Sequence, residues 1–211
     1  VIEAAAKGAA LSAQYPDTHC TKLRESLSEF LSVPKDWLIF GNGAADLIFS
    51  LVLSIRPKKI LLPAPTFAEY GQAAKVIDTK LVHFYLKEEN NFEIDEEILE
   101  ALTDDIDMMF LCNPNNPTGR LVSKEFLIKI LDKCKEKNIM LVVDECFNEF
   151  LDCPKDYSVM DQLEKYQNLF ILKAFTKTYA MAGLRLGYGV CANKELLEKM
   201  SQVNQPWAVS I

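Results

Sequence analysis

The sequence predicts an α/β fold, a mainly parallel central sheet flanked by helices in a three-layer α/β/α arrangement. Three observations lead there. Short apolar runs bounded by turn residues recur along the chain, amphipathic stretches separate several of them, and the apolar runs are near-continuous rather than alternating. Strands buried on both faces read this way, and burying both faces of a parallel sheet requires helices on either side. In chain order the predicted strands are 37–40, 60–62, 81–86, 106–112, 139–143 and 169–172. Helical patterns cover 44–53, which follows Gly43, then 95–102 and 123–135. In the last of these Phe126, Leu127, Ile130, Leu131 and Cys134 recur at three-and-four spacing and mark one apolar face.

Composition narrows the function classes. Of 211 residues, 49% are hydrophobic and 25% charged, as in an ordinary globular protein and unlike a disordered chain. A net charge of −7 weighs against nucleic acid or an anionic membrane as the main partner, since both require a basic face. A small phosphorylated ligand stays open, because it needs only a local anion site. The six cysteines are scattered with no CxxC pair, and there are only two histidines, so no metal site is expected. The start of the sequence lacks a signal-peptide pattern, and its most apolar stretch, 47–55, is too short to span a bilayer. A reducing cytoplasm is the expected compartment.

Ligands of such sheets gather beyond the carboxyl ends of the strands, so the chemistry should lie in the loops that follow them. The first, Gly41-Asn42-Gly43-Ala44-Ala45-Asp46, combines a glycine turn with a helix start. Its backbone N–H groups could hold an anion, or it could be a plain helix entry. It is not a dinucleotide fingerprint, because Asp46 stands where the third glycine belongs. The second, Asn113-Pro114-Asn115-Asn116-Pro117-Thr118-Gly119, is longer and more specific than an ordinary turn requires. In the third, Asp144 and Glu145 end an apolar strand. A carboxylate there is partly desolvated and needs a partner; Asp144 is the one expected to face a ligand, while Glu145 could simply cap the next segment. The fourth places Lys177 soon after a strand in an apolar segment and Arg185 eight residues later. Burial favours a neutral, nucleophilic lysine, and an arginine offers a bidentate cation for phosphate.

Taken together, these loops resemble the fold-type-I pyridoxal-phosphate enzymes, in particular the class I/II aminotransferases of the histidinol-phosphate aminotransferase branch. The resemblance runs from about Tyr15 to Trp207. It rests on Gly41-Asn42-Gly43, Pro65-Thr66-Phe67, the 113–119 string, Asp144-Glu145 and Thr176-Lys177 with Gly183-Leu184-Arg185-Leu186-Gly187. It implies pyridoxal 5′-phosphate as cofactor and Lys177 as the Schiff-base lysine and proton carrier. Asp144 would pair with the pyridinium nitrogen and Asn116 with the phenolic oxygen, while Phe67 would stack on the ring. Ala44, Ala45, Thr176 and Arg185 would hold the phosphate. Tyr15 resembles the tyrosine that reaches the neighbouring subunit's phosphate, which implies a homodimer with composite sites acting on small amino and 2-oxo acids. Tyr70, by contrast, is expected in packing or on the substrate side.

One departure bears on the reaction. Phe147 stands where many histidinol-phosphate aminotransferases have a tyrosine. The string Asp144-Glu145-Cys146-Phe147, together with residues 205–210, looks like the related threonine-phosphate decarboxylases of cobalamin synthesis. Transamination is the first expectation, decarboxylation the alternative, and a non-catalytic cofactor-binding fragment the third. The resemblance divides the chain into an N-terminal segment (1–32), a cofactor-binding large domain (33–204) and the start of a linker (205–211). The smaller C-terminal domain that carries the family's carboxylate-binding arginine is expected to be missing.

Overall fold

The computed structural model of the chain describes residues 1–210; the end of the predicted linker, Ile211, lies outside the described residues. Seven strands form one sheet: β1 (Leu38–Gly41), β2 (Lys59–Ala64), β3 (Lys80–Tyr85), β4 (Met108–Cys112), β5 (Met140–Asp144), β6 (Leu169–Ala174) and β7 (Gly187–Val190). The helices are α1 (Ile2–Ala9), α2 (Thr21–Leu31), α3 (Gly43–Ile55), α4 (Glu69–Lys75), α5 (Ile98–Ala101), α6 (Lys124–Glu136), α7 (Phe175–Thr178) and α8 (Lys194–Val203). The spatial order is β1-β7-β6-β5-β4-β2-β3. Every pairing from β3 across to β6 is parallel, and only β7 runs against its two neighbours.

Each central strand buries both faces, so its side chains divide between two cores. Met109 and Leu111 of β4 and Leu141 and Val143 of β5 join Leu127, Ile130 and Leu131 of α6 on one side. Met108 and Phe110 of β4 and Val142 of β5 join Leu47, Ile48 and Leu51 of α3 and Leu197 and Met200 of α8 on the other. The predicted three layers are thus present. Helix starts follow local chemistry: Ser123 caps α6 by accepting from the Phe126 N–H at 3.3 Å, and Asn193 caps α8 by accepting from the Leu196 N–H at 3.0 Å.

Three expectations need correction. The strand predicted at 37–40 begins at Leu38, because Trp37 closes a 3₁₀ turn, and the run from 106 becomes strand only at Met108. The helix predicted over 95–102 shrinks to the single turn α5. There the Asp95 side chain accepts from the Glu97 N–H at 3.1 Å, holding 95–97 in a turn instead of a helix. No predicted element covers β7 or the helices α1, α2, α4, α7 and α8.

Candidate active site

The parallel strands all direct their carboxyl ends to one edge of the sheet, and the predicted loops meet there. A cavity of about 130 Å³ is lined by Ala44, Ala45, Phe67, Asn116, Asp144, Phe147, Thr176, Lys177 and Arg185, with Cys112, Cys146 and Ala174 completing its wall. Eight of the nine residues expected to hold a cofactor therefore converge in the structure. The ninth, Tyr15, lies elsewhere: it is 82% exposed and packs on Trp207 with ring centroids 4.8 Å apart.

Asp144 is held tightly. Only 4% exposed at the end of β5, it accepts the Cys146 backbone N–H on Oδ1 at 2.9 Å and the Tyr70 hydroxyl on Oδ2 at 2.6 Å. A carboxylate has about four acceptor positions, so two bonds leave it able to accept another donor from the cavity. Burial, reinforced by Asp144, pushes the Cys112 thiol up to about 12, and burial likewise lifts the Cys146 thiol well above its usual range. Both thiols are neutral wall residues, and neither is the thiolate a nucleophile would require.

The phosphate-side groups fit an anion closely. α3 has no side-chain cap, and the Asp46 carboxylate reaches back to the Asn42 N–H at 2.9 Å, leaving the Ala44 and Ala45 end of the helix open to the cavity. Gly43 has φ +80°, and a Cβ there would stand 2.6 Å from Arg185 Nη2. That close approach brings helix start and guanidinium together, and only glycine permits it. An amine, a buried carboxylate and an anion cradle made of a helix N-terminus and one guanidinium in one cavity are the donor set that pyridoxal phosphate requires.

Two lysines flank this region, and the structure separates them. Lys173 is buried in β6, with its Nζ 3.2 Å from the fully buried Glu145 and 2.8 Å from Glu149. Burial alone would lower its pKa, but the two carboxylates outweigh it and raise the value, so Lys173 remains an ammonium. Glu145 also accepts from Ser158 at 3.0 and 2.9 Å and from the Val159 N–H at 3.1 Å. It is thus the buried ion-pair partner of Lys173. Lys177, in the single turn α7, makes no ion pair or side-chain hydrogen bond among the described residues, and its Nζ sits 5.3 Å above the Phe147 ring. It is exposed, not buried as the apolar segment implied, and α7 lines the cavity through Thr176 and Lys177.

Tyr70 packs in the core, as expected, but its hydroxyl has a partner that sequence reasoning missed. Fully buried in α4, it stacks on Phe110 at 4.7 Å and meets the edge of Phe67 at 5.6 Å, with only its hydroxyl reaching a polar partner. Its pairing with Asp144 spans 74 residues, beyond any local pattern.

The comparisons agree with this geometry. Residues 1–211 match the family described as aminotransferase class I and II, and the chain belongs to that family, whose cofactor is pyridoxal 5′-phosphate. It is 36% identical over 197 residues to a threonine-phosphate decarboxylase of Salmonella typhimurium, covering 93% of this chain and 54% of the relative. It is 33% identical over 195 residues to a histidinol-phosphate aminotransferase of Oceanobacillus iheyensis, covering 92% and 53%. A solved histidinol-phosphate aminotransferase from Clostridium acetobutylicum superposes with a TM-score of 0.88 at 36% identity, over 99% of this chain and 61% of that one. The chain spans about half the length of the curated relatives it matches.

Proposed function

We propose that this chain carries the cofactor-binding and proton-transfer machinery of a pyridoxal-phosphate-dependent aminotransferase. It would move an amino group between an amino acid or amino-alcohol phosphate of the histidinol-phosphate kind and a 2-oxo acid. The observation that carries the reading is the convergence of Lys177, Asp144, Asn116 and Arg185 on one cavity. The bound cofactor supplies an electron sink for charge developing at the substrate's α-carbon. The chain's own residues do the rest. The Ala44 and Ala45 N–H groups, the Thr176 hydroxyl and the Arg185 guanidinium bind the phosphate. Phe67 stacks on the ring, Asn116 donates to the phenolic oxygen, and Asp144 accepts the N–H of the ring nitrogen. Lys177 Nζ takes the α-carbon proton and returns it, a task that requires an amine without a carboxylate partner. Lys173, paired twice, cannot take that role.

The reading extends to the assembly. An exposed Tyr15 and an α1 without a single buried residue support an N-terminal segment (1–32) that packs on a second copy, giving a homodimer with composite sites. No helix among the described residues is long and apolar enough to cross a membrane, and the cysteines are free thiols, which supports a cytoplasmic setting. Residues 33–204 form the cofactor domain in this reading.

A second reading is decarboxylation of threonine phosphate. Phe147 in the cavity wall supports it, since its ring offers no hydrogen bond to the phenolic oxygen, and so does the 36% identical decarboxylase. The two named substrates both carry an amine and a phosphate ester, so the same machinery suits either. One pair of assays separates them. Histidinol phosphate with 2-oxoglutarate should yield glutamate, and O-phosphothreonine should release little carbon dioxide. Substantial carbon dioxide release without amino transfer would replace the first reading with the second.

A further inference from the structure

We infer that Tyr70 is a positioning residue for Asp144: its hydroxyl fixes the carboxylate in the orientation in which one remaining lone pair meets the cofactor's ring nitrogen. The inference rests on the proposed cofactor site. Three observations carry it. The hydroxyl lies 2.6 Å from Oδ2, a short, charge-assisted contact. The ring cannot swing away, since it is fully buried, stacked on Phe110 and edged by Phe67. The opposite oxygen is fixed by the Cys146 N–H at 2.9 Å, so the carboxylate is clamped from two sides and has one open direction, the cavity.

Burial, followed by the Asp144 charge, raises the Tyr70 pKa well above its ordinary value, so the group stays a donor at any working pH. A phenylalanine would satisfy the packing with Phe110 and Phe67 equally well and would leave the buried carboxylate one donor short. The hydroxyl therefore serves the carboxylate and not the core. Phe67 gives the arrangement a second use: the ring expected to stack on the cofactor, in the loop just before α4, and the Tyr70 ring in the first turn of α4 touch each other edge to face.

The test is a double-mutant cycle on the full chain with pyridoxal phosphate as the probe, using Tyr70→Phe, Asp144→Asn and both together. Affinity and the visible circular dichroism of the bound chromophore are read. Tyr70→Phe should weaken cofactor binding about ten-fold, the worth of one hydrogen bond to a charged group, and should reduce the dichroic band. In the Asp144→Asn background the same change should cost less than about two-fold, because the partner is already altered. Equal losses in both backgrounds, no loss in either, or a Tyr70→Phe chain that does not fold would each overturn the inference. Failure of the underlying reading looks different. A wild-type chain with no Lys177-dependent, borohydride-reducible adduct would remove the site and the role of Tyr70 together.

Discussion

Gly187 offers the sharpest test of how the phosphate cradle is built. It opens β7 against the start of α3, and a Cβ on it would stand 2.5 Å from the Ala44 nitrogen and 2.6 Å from the Gly43 carbonyl carbon. Both obstacles are backbone, so neither can rotate aside. The loop would have to retreat by about 0.9 Å to regain ordinary contact at 3.4 Å. Overpacking of this kind costs about 1–3 kcal/mol of stability. A retreat that large also moves the Ala44 and Ala45 N–H groups beyond good hydrogen-bond range of a phosphate. One charge-assisted bond lost is worth about 1.5–3 kcal/mol, or roughly ten- to a hundred-fold in affinity. The assay compares pyridoxal phosphate with unphosphorylated pyridoxal: in Gly187→Ala their affinity ratio should collapse, while urea unfolding reports the stability loss. Gly183→Ala is the control, since a Cβ there meets nothing within 4 Å. A Gly187→Ala protein that keeps its preference for the phosphorylated form, or a Gly183→Ala protein that loses it equally, would refute the reasoning.

Two further predictions concern stability. Glu145→Ala leaves the buried Lys173 with only the half-exposed Glu149, so urea unfolding should show a loss of about 3 kcal/mol or more, against about 1 kcal/mol for Glu149→Ala; equal small losses would contradict the assigned pairing. Burial raises the Cys112 and Cys134 thiols to about 12 and the Cys191 thiol to about 11, from 9.0. The native state thus holds these protons more tightly than the unfolded chain. Stability is complete below pH 9 and falls as pH rises through 9 to 12, by on the order of 1 kcal/mol per thiol at pH 10. Unfolding free energies that match at pH 7 and pH 10 would contradict this.

Much of the fold was legible because burial on both faces forces near-continuous apolar strands, as in Met108–Cys112 and Met140–Asp144. β7 was not, and the reason is physical. Gly187 and Gly189 alternate along it because α3 backbone crowds one and the Phe170 ring the other, so close packing erased the apolar run that would have marked a strand. The site was legible where chemistry is local, as in the 113–119 string and the loop around Lys177. It was illegible where partners are distant in sequence. The Tyr70–Asp144 bond joins α4 to β5, and the difference between Lys173 and Lys177 comes from Glu145 and Glu149 beyond β5. A polar-tipped aromatic three residues after Phe67 was the one available hint.

The central claim is that Lys177 is the amine that holds the cofactor. The direct measurement is borohydride reduction of the protein loaded with pyridoxal phosphate, followed by peptide mass analysis. A single pyridoxyl group on Lys177, absent from Lys177→Ala, is the predicted result. A label on Lys173, or a reducible adduct that survives Lys177→Ala unchanged, would contradict the account.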